Sequence, residues 1–273
     1  MLRKRIATAA VLIPLLAASI LYGKGQPLGW PFLLVTGTAA ALCAAEMFRM
    51  FVRGARIVAG GVALAAFVFL SAALLPVSAA LPAVLLCVVL AAFLALPGPA
   101  EAGEKARTAA TLTLGAVYVG GLLAMYPRTL FLPRGEHWVL LGVIAVSAGD
   151  TLAYFTGRAA GRTKLAPDLS PNKTVEGAAG GLLGSVACGV LYAHGFLPDI
   201  PSWYAAVAGG AVGLFGQGGD LFESLLKRAA GVKDSGRLFP GHGGVFDRAD
   251  GILAAGPVLY LLAAISPLAG GGG

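Results

Sequence analysis

The sequence consists largely of apolar stretches that recur as far as residue 268 and are separated by short polar or Pro/Gly-rich breaks. A helix of about 20 apolar residues crosses the hydrocarbon core of a bilayer. Lipid offers no partner to an unpaired backbone group, so such stretches fold as transmembrane helices. The composition, with 58% hydrophobic and 12% charged residues, argues against a water-soluble fold. The sequence therefore predicts an all-α polytopic membrane protein.

The spacing of the breaks predicts nine transmembrane helices. No room remains for a separate soluble domain, so residues 1–273 are expected to form a single membrane-embedded domain. The first segment is expected to be a retained helix, with a cleaved signal peptide as the alternative. The third and fourth segments form a re-entrant pair in a second alternative. The nine segments are residues 6–23, 29–48, 57–76, 79–97, 108–127, 138–157, 174–196, 203–223 and 250–268.

Basic residues are distributed unequally between the two sides of the predicted bundle. With a cytoplasmic N-terminus, 17 of the 20 Lys and Arg residues face the cytoplasm, and only Lys24, Arg128 and Arg134 face the opposite side. Cytoplasmic loops of membrane proteins carry such an excess of positive charge. The N-terminus is therefore predicted in the cytoplasm and the C-terminus outside, across a cell membrane. The net charge of +7 reflects this topology rather than a nucleic-acid partner.

Acidic residues inside or at the ends of these segments are the main anomaly of the sequence. A charged residue at the centre of a transmembrane helix costs about 2.5 to 3.5 kcal/mol on insertion scales. Such residues are therefore expected to line a polar cavity, to pair with cations or to bind metal. The six are Glu46, Asp150, Glu176, Asp220, Glu223 and Asp250.

Three charged residues share one face of the predicted eighth helix. Asp220 and Glu223 are three positions apart, and Lys227 lies seven beyond Asp220, so their side chains follow one another along the helix. This face leads into a basic loop, which indicates a polar site. In the alternative, Glu223 and Lys227 form only an intrahelical ion pair worth about 0.2 to 0.5 kcal/mol.

The loop that follows, KRAAGVKDSGRLFPGHGGVFDRAD, holds the densest group of charged residues and glycines in the chain. Glycine lets backbone amides approach a phosphate closely, and Lys and Arg neutralise its charge. The loop is therefore predicted to bind phosphate, although it contains no Walker motif. His242 can bind phosphate or transfer a proton, but a lone loop histidine commonly does neither.

Two carboxylates near the start of the predicted last helix suggest a metal site. Asp247 and Asp250 are three positions apart and can present hard oxygen ligands to one side, which suits Mg²⁺ held together with substrate phosphates. In the alternative, the acidic first turn only complements the helix dipole.

A second polar segment covers residues 150–177 and ends in SPNKTVEG. Ser170 is predicted as an N-cap, with Pro171 at the first helical position. Asn172, Lys173 and Glu176 then lie at the positive end of the seventh helix, where an anionic headgroup or a triphosphate is attracted. The alternative is a capped helix with a Lys173–Glu176 pair and no ligand.

The region from residue 224 to residue 250 resembles the signature of phosphatidate cytidylyltransferases. The pattern runs S-x-[apolar]-K-R-x₄-K-D-x-G and continues to H-G-G-[apolar]-x-D-R-x-D, with fixed spacing over 27 residues. One departure is Ala249, which is smaller than the expected aliphatic residue. The opening MLRKRIATAAVLIPL, residues 150–154, SPNKTVEG and GDLFESLLKR also resemble bacterial members, so the likeness covers essentially the whole chain.

The resemblance implies a reaction in which CTP meets phosphatidic acid at a cytoplasm-facing cavity of a homodimer in the membrane. The implied cofactor is Mg²⁺, with a second cation as an option. The products are CDP-diacylglycerol and pyrophosphate. The implied catalytic residues are Asp220, Asp247, Asp250, Lys227 and Arg248. The implied metal ligands are Asp220, Asp247 and Asp250, followed by Asp150 and Glu223. The implied substrate-binding residues are Ser170, Asn172, Lys173, Glu176, Arg228, Lys233, Asp234, Arg237, His242, Gly243 and Gly244.

Two other functions remain open. A transferase acting on a polyprenol or on an ether-linked phosphatidate would need the same charged residues, since nothing in the loops reads the lipid tail. An ion-coupled transporter also uses intramembrane carboxylates. It is disfavoured because the two halves show no inverted pattern of interrupted segments. A CDP-alcohol phosphotransferase is disfavoured because no DG-x₂-AR run occurs.

Overall fold

The computed structural model describes residues 14–236, 238 and 243–268. Within these residues the chain forms ten α-helices and one antiparallel hairpin. A 3₁₀ turn (Pro27–Gly29) precedes α2, and a π-helical turn (Ala116–Gly121) continues α5. The helices are α1 (Pro14–Gly23), α2 (Trp30–Phe51), α3 (Ala55–Leu74), α4 (Val77–Ala95), α5 (Ala102–Gly115), α6 (Met125–Leu130), α7 (Gly135–Ala160), α8 (Val175–Phe196), α9 (Ser202–Ala229) and α10 (Phe246–Ala264), and the strands are β1 (Lys164–Ala166) and β2 (Ser170–Thr174).

Six helical stretches in the described part of the chain are long and apolar enough to cross a membrane. They are Pro27–Phe51, Ala55–Leu74, Val77–Ala95, Ala102–Leu130, Gly135–Ala160 and Val175–Phe196. The prediction of an all-α polytopic membrane protein is thereby confirmed, with the small hairpin as an unpredicted addition. The count of nine spans and the sidedness of the termini stay predictions.

The helix ends differ from the predicted ones where a helix outlasts its apolar run. Helix α9 continues to Ala229, six residues beyond the predicted end, and α10 begins at Phe246, four residues before the predicted start. Both extensions are rich in charged residues. Hydropathy marks where a helix stops being apolar, whereas backbone hydrogen bonding carries the helix further into polar surroundings.

The predicted N-cap at Ser170 is wrong. Residues Ser170–Thr174 form β2, which pairs antiparallel with β1, so Asn172 and Lys173 lie on a strand rather than in a helix. Thr174 is the N-cap of α8, and its hydroxyl accepts a hydrogen bond of 3.0 Å from the Gly177 N–H. Pro171 fits this edge strand because proline needs no ladder partner for its nitrogen.

By internal contacts the chain divides into two compact units. Unit 1 comprises Met1–Arg128 and Ala230–Ala249, and unit 2 comprises Thr129–Ala229 and Asp250–Gly273. In unit 1, helices α2 to α5 pack against one another and against the π-helical turn. Arg128 closes the end of α3, since its Nη1 atom donates to the carbonyls of Ala72 and Leu75 at 2.6 and 3.0 Å.

In unit 2, helices α7, α8 and α9 approach one another through small residues. Ser185 on α8 is fully buried, and its hydroxyl donates to the Ala145 carbonyl of α7 at 2.8 Å. A Cβ atom at Gly149 or Gly213 would collide with the Ser185 hydroxyl, so glycine at both positions lets the three backbones come together. Small residues at helix contacts are the usual means of close packing in membranes.

We expect Gly209→Ala to destabilise unit 2 and Gly218→Ala, in the same helix, to leave it unharmed. A Cβ at Gly209 would lie 2.5 Å from the Ser185 carbonyl oxygen, whereas a Cβ at Gly218 meets nothing within 4 Å. Overpacking against rigid backbone costs about 1 to 3 kcal/mol, while alanine in an open helical position gains up to about 1 kcal/mol over glycine. Thermal unfolding in detergent compares the two variants. Equal melting temperatures would contradict the packing described for α8 and α9.

Candidate active site

Three carboxylates of unit 2 converge at the ends of two helices. Asp220 and Glu223 lie one turn apart on α9, and Asp250 lies in α10. One oxygen from each of the three lies within 4.8 Å of the others. Glu223 is fully buried, and the other two are partly buried. The structure thus brings together three of the five residues predicted to bind metal.

Two lysines neutralise part of this charge. The Nζ atom of Lys173, on β2, lies 2.6 Å from Asp220 Oδ2, and the Nζ atom of Lys227 lies 2.5 Å from Glu223 Oε2. The intrahelical Glu223–Lys227 pair that the sequence offered as an alternative therefore exists, but inside the carboxylate group rather than on an isolated helix surface. The alternative Lys173–Glu176 pair is replaced by the pair between Lys173 and Asp220.

Asp150 on α7 contributes a fourth carboxylate. It interacts electrostatically with Asp220 and Asp250, which repel it, and with Lys173, which attracts it. When all are ionised, the four carboxylates exceed the two lysines by two negative charges. One divalent cation would balance this excess, and carboxylate oxygens are the ligands that Mg²⁺ and Ca²⁺ prefer. The residues present therefore fit a metal ion.

A second pair of carboxylates lies in unit 1. Asp247, at the start of α10, accepts hydrogen bonds on Oδ2 from the Ser235 N–H at 2.9 Å and from the Gly244 N–H at 2.8 Å. Glu46 of α2 is 8% exposed and accepts from the Val245 N–H at 3.0 Å and the Phe246 N–H at 2.9 Å. The Ser235 hydroxyl lies 2.9 Å from Asp247 Oδ2 and 2.9 Å from Glu46 Oε2 and donates its one hydrogen to either. We call Glu46, Ser235 and Asp247 the loop clamp.

The loop clamp explains why three positions of the signature, Gly236, Gly243 and Gly244, are glycines. Gly243 has a φ of +79°, which L side chains rarely adopt, and a Cβ there would also collide with Asp247 Oδ2. A Cβ at Gly244 would collide with Glu46 Oε2, and a Cβ at Gly236 with Glu46 Oε1. These glycines, two of which were predicted to bind substrate, thus lie against carboxylates in the structure.

The hairpin is tied to its surroundings through backbone groups. Glu176, predicted to bind substrate, accepts hydrogen bonds of 3.1 Å from the N–H groups of Arg162 and Thr163. Arg228, at the end of α9, donates through Nε to the Leu169 carbonyl between the strands at 3.3 Å. Both side chains therefore hold the segment on which Lys173 is carried. Ser170 is partly buried on β2, and Asn172 is exposed there.

The remaining predicted site residues fall into two groups. Lys233, Asp234 and Arg248 are exposed. Arg237 and His242 lie outside the described residues, so their predicted roles rest on the sequence alone.

Glu46 and Ser235 are the residues that sequence reasoning missed. Glu46 was recognised as an expensive charge in an apolar segment, but no role followed from it. Its partner Ser235 is 189 positions away along the chain. No spacing rule connects residues so far apart, and only the cost of a buried acid hinted at a partner.

The chain is similar to curated proteins and matches one family model. Similar proteins include phosphatidate cytidylyltransferases from Bacillus subtilis (39% identity over 155 residues, 56% of this chain and 58% of the relative), Brucella abortus (48% over 134 residues, 49% of each chain) and Staphylococcus saprophyticus (41% over 155 residues, 56% and 58%). The matched region thus spans about half the length of these curated relatives. The model of the Cytidylyltransferase family matches residues 3–266. With that match over nearly its whole length, the chain belongs to the cytidylyltransferase family.

Proposed function

We propose that this protein transfers the cytidylyl group of CTP to phosphatidic acid, giving CDP-diacylglycerol and pyrophosphate for phospholipid synthesis. The observation that carries the proposal is the group of Asp220, Glu223 and Asp250 with Lys173 and Lys227 beside it, in a member of the cytidylyltransferase family. The similar proteins named above bear the name phosphatidate cytidylyltransferase. Carboxylates that can hold a cation, next to ammonium groups, suit a reaction between two anionic phosphates.

In the proposed reaction, a phosphate oxygen of phosphatidic acid attacks the α-phosphorus of CTP in line. The bond between that phosphorus and the oxygen bridging to the β-phosphate breaks, and pyrophosphate leaves with the bonding electrons. Asp220, Glu223 and Asp250 would hold Mg²⁺, with Asp150 and Asp247 as further metal-associated carboxylates. Bound Mg²⁺ supplies positive charge where negative charge develops on the transferring and leaving oxygens.

The remaining charge neutralisation is assigned to lysine and arginine side chains of the protein. Lys173 and Lys227 hold the carboxylates of Asp220 and Glu223 through their ion pairs and present ammonium protons to phosphate oxygens. Arg248 would neutralise charge on the leaving group. Further contacts with the two substrates are proposed for Ser170, Asn172, Glu176, Arg228, Lys233, Asp234, Arg237, His242, Gly243 and Gly244.

The proposal extends to membrane topology and assembly. Nine spans with a cytoplasmic N-terminus and an external C-terminus would turn the site toward the cytoplasm, where CTP is available. The distribution of Lys and Arg supports this orientation. The whole chain would act as one catalytic domain, with its signature in 224–250 and its second polar segment in 150–177, as a homodimer in the cell inner membrane. A second cation is part of the same proposal.

The test is incorporation of labelled CTP into organic-extractable lipid by the purified protein. We expect CDP-diacylglycerol only when phosphatidic acid and Mg²⁺ are both present, and no product when ATP replaces CTP. A polyprenyl phosphate and an ether-linked phosphatidate serve as alternative acceptors. If the polyprenyl phosphate is turned over in preference to phosphatidic acid, it is the substrate instead. If the protein moves solute across liposome membranes without CTP, the transporter function replaces the enzymatic one.

A further inference from the structure

We propose that Glu46 is a positioning residue, which places the first turn of α10 and its Asp247 and Arg248 for cytidylyl transfer. This inference rests on the proposed function and adds to it a residue outside the signature. The juxtaposition that carries it is the Glu46 carboxylate of α2 against both ends of the segment between Ser235 and Phe246.

The two oxygens of Glu46 together contact both ends of that segment. Oε1 accepts from the Val245 N–H at 3.0 Å, while Oε2 accepts from the Phe246 N–H at 2.9 Å and lies 2.9 Å from the Ser235 hydroxyl. The first N–H groups of a helix have no partner within the helix. Glu46 therefore caps α10 from a distant element, and its negative charge also complements the positive end of the helix.

Ser235 connects Glu46 to Asp247. Its hydroxyl lies 2.9 Å from Glu46 Oε2 and 2.9 Å from Asp247 Oδ2, and can donate its single hydrogen to either oxygen. Its backbone N–H donates to Asp247 as well. A shift of Glu46 is therefore transmitted to Asp247 along two routes, through Ser235 and through the start of α10.

The burial of Glu46 indicates that this arrangement is specific. A buried carboxylate loses its hydration and is tolerated when its oxygens receive hydrogen bonds. Two of the three donors are backbone groups, which cannot turn away as a side chain can. Gly236 and Gly244 leave no volume that another side chain could fill, because a Cβ at either position would collide with Glu46.

Glu46→Gln tests the role with little change in volume. Because a backbone N–H faces each oxygen, Val245 at Oε1 and Phe246 at Oε2, the amide NH₂ must face a donor on either side, and at least one hydrogen bond is lost. We expect kcat to fall about 10- to 100-fold, the range typical of outer-shell partners. KM for phosphatidic acid should stay within about twofold, because the buried Glu46 carboxylate is occupied by Ser235, Val245 and Phe246. Half-saturation by Mg²⁺ should shift to higher concentration.

Hydrogen exchange gives a readout that needs no turnover. In Glu46→Gln without ligand, peptides covering residues 243–247 should exchange faster than in the wild type. The matched control is Glu104→Gln, which removes the same charge from an exposed position at the start of α5 in the same unit and should change neither exchange nor kcat. Unchanged exchange in Glu46→Gln would overturn the inference whatever the activity. Faster exchange with a normal kcat in Glu46→Gln would mean that Glu46 has only a structural role, and would also overturn the inference.

A double-mutant cycle with Ser235→Ala tests the connection. Ser235→Ala removes the shared hydroxyl but keeps the backbone bond to Asp247, so its effect should be smaller. Because both residues act through one network, the combined loss in kcat should be less than the product of the single losses, and independent effects would contradict the coupling.

If the wild type makes no lipid product, the proposed function fails. Hydrogen exchange of residues 243–247 with and without CTP and Mg²⁺ then decides the inference. Slower exchange with these ligands in the wild type, lost in Glu46→Gln, would support it. The same slowing in the variant would overturn it.

Discussion

We expect Asp250→Asn to lower turnover about 100-fold or more while the protein stays folded. The substitution removes one negative charge and one proposed metal ligand from a group whose carboxylate oxygens lie within 4.8 Å of one another. Losing one group that stabilises transition-state charge commonly costs about 10² to 10³ in rate. The measurement is steady-state formation of CDP-diacylglycerol as a function of Mg²⁺ concentration, together with thermal unfolding of the same preparation.

The matched control for this variant is Asp199→Asn. Asp199 is an exposed acid of unit 2, 3.9 Å from Arg134, and exposed pairs of this kind contribute about 0 to 1 kcal/mol. We expect it to retain wild-type turnover and Mg²⁺ dependence. If folded Asp250→Asn also turned over normally, the assignment of the carboxylate group to the reaction would be wrong.

We expect Lys227→Met to destabilise unit 2 by about 3 to 5 kcal/mol, the usual effect of breaking a buried ion pair from one side. Glu223 is fully buried, and the variant takes away the ammonium group that lies 2.5 Å from its carboxylate. A charge so placed has little access to water. Thermal unfolding in detergent should show a large fall in melting temperature, and turnover should fall with it.

The double variant Glu223→Gln, Lys227→Met separates stability from catalysis. With both charges gone, we expect most of the lost stability to return, because neutral replacements of a buried pair are often tolerated. Turnover should remain low, since the proposed metal ligand and the proposed phosphate-binding lysine are both absent. Lys164→Met, at an exposed position on β1, controls for removing a lysine from the same unit. A stable single variant or an active double variant would refute the reading of this pair.

The helices were predictable because apolar stretches of transmembrane length leave few alternatives. All nine predicted segments overlap helices within the described residues. The errors lie where polar residues decide the structure. The hairpin of β1 and β2 escaped prediction because both strands are short and polar, and a Ser-Pro dipeptide looks like a helix start whether or not a helix follows.

The clustering of Asp220 with Glu223 followed from helical spacing, and the structure brings Asp250 to them. Partners of charged groups were less accessible to sequence reasoning. Lys173 had Glu176 three positions away as a local candidate, yet it pairs with Asp220. The Glu176 carboxylate instead accepts hydrogen bonds from the backbone N–H groups of Arg162 and Thr163. Spacing rules count nearby side chains and do not see such tertiary contacts.

The loop clamp also bears on how signatures are used to recognise such proteins in genomes. A signature read as one continuous string treats residues 224–250 as self-sufficient, although the space around Gly236 and Gly244 is occupied by an acid from α2. Two chains with the same string could differ at the position of Glu46 and would then not share the same loop geometry. A search that requires the string together with an acidic residue in the second apolar segment would separate complete copies of this arrangement from chains that retain only its most visible part.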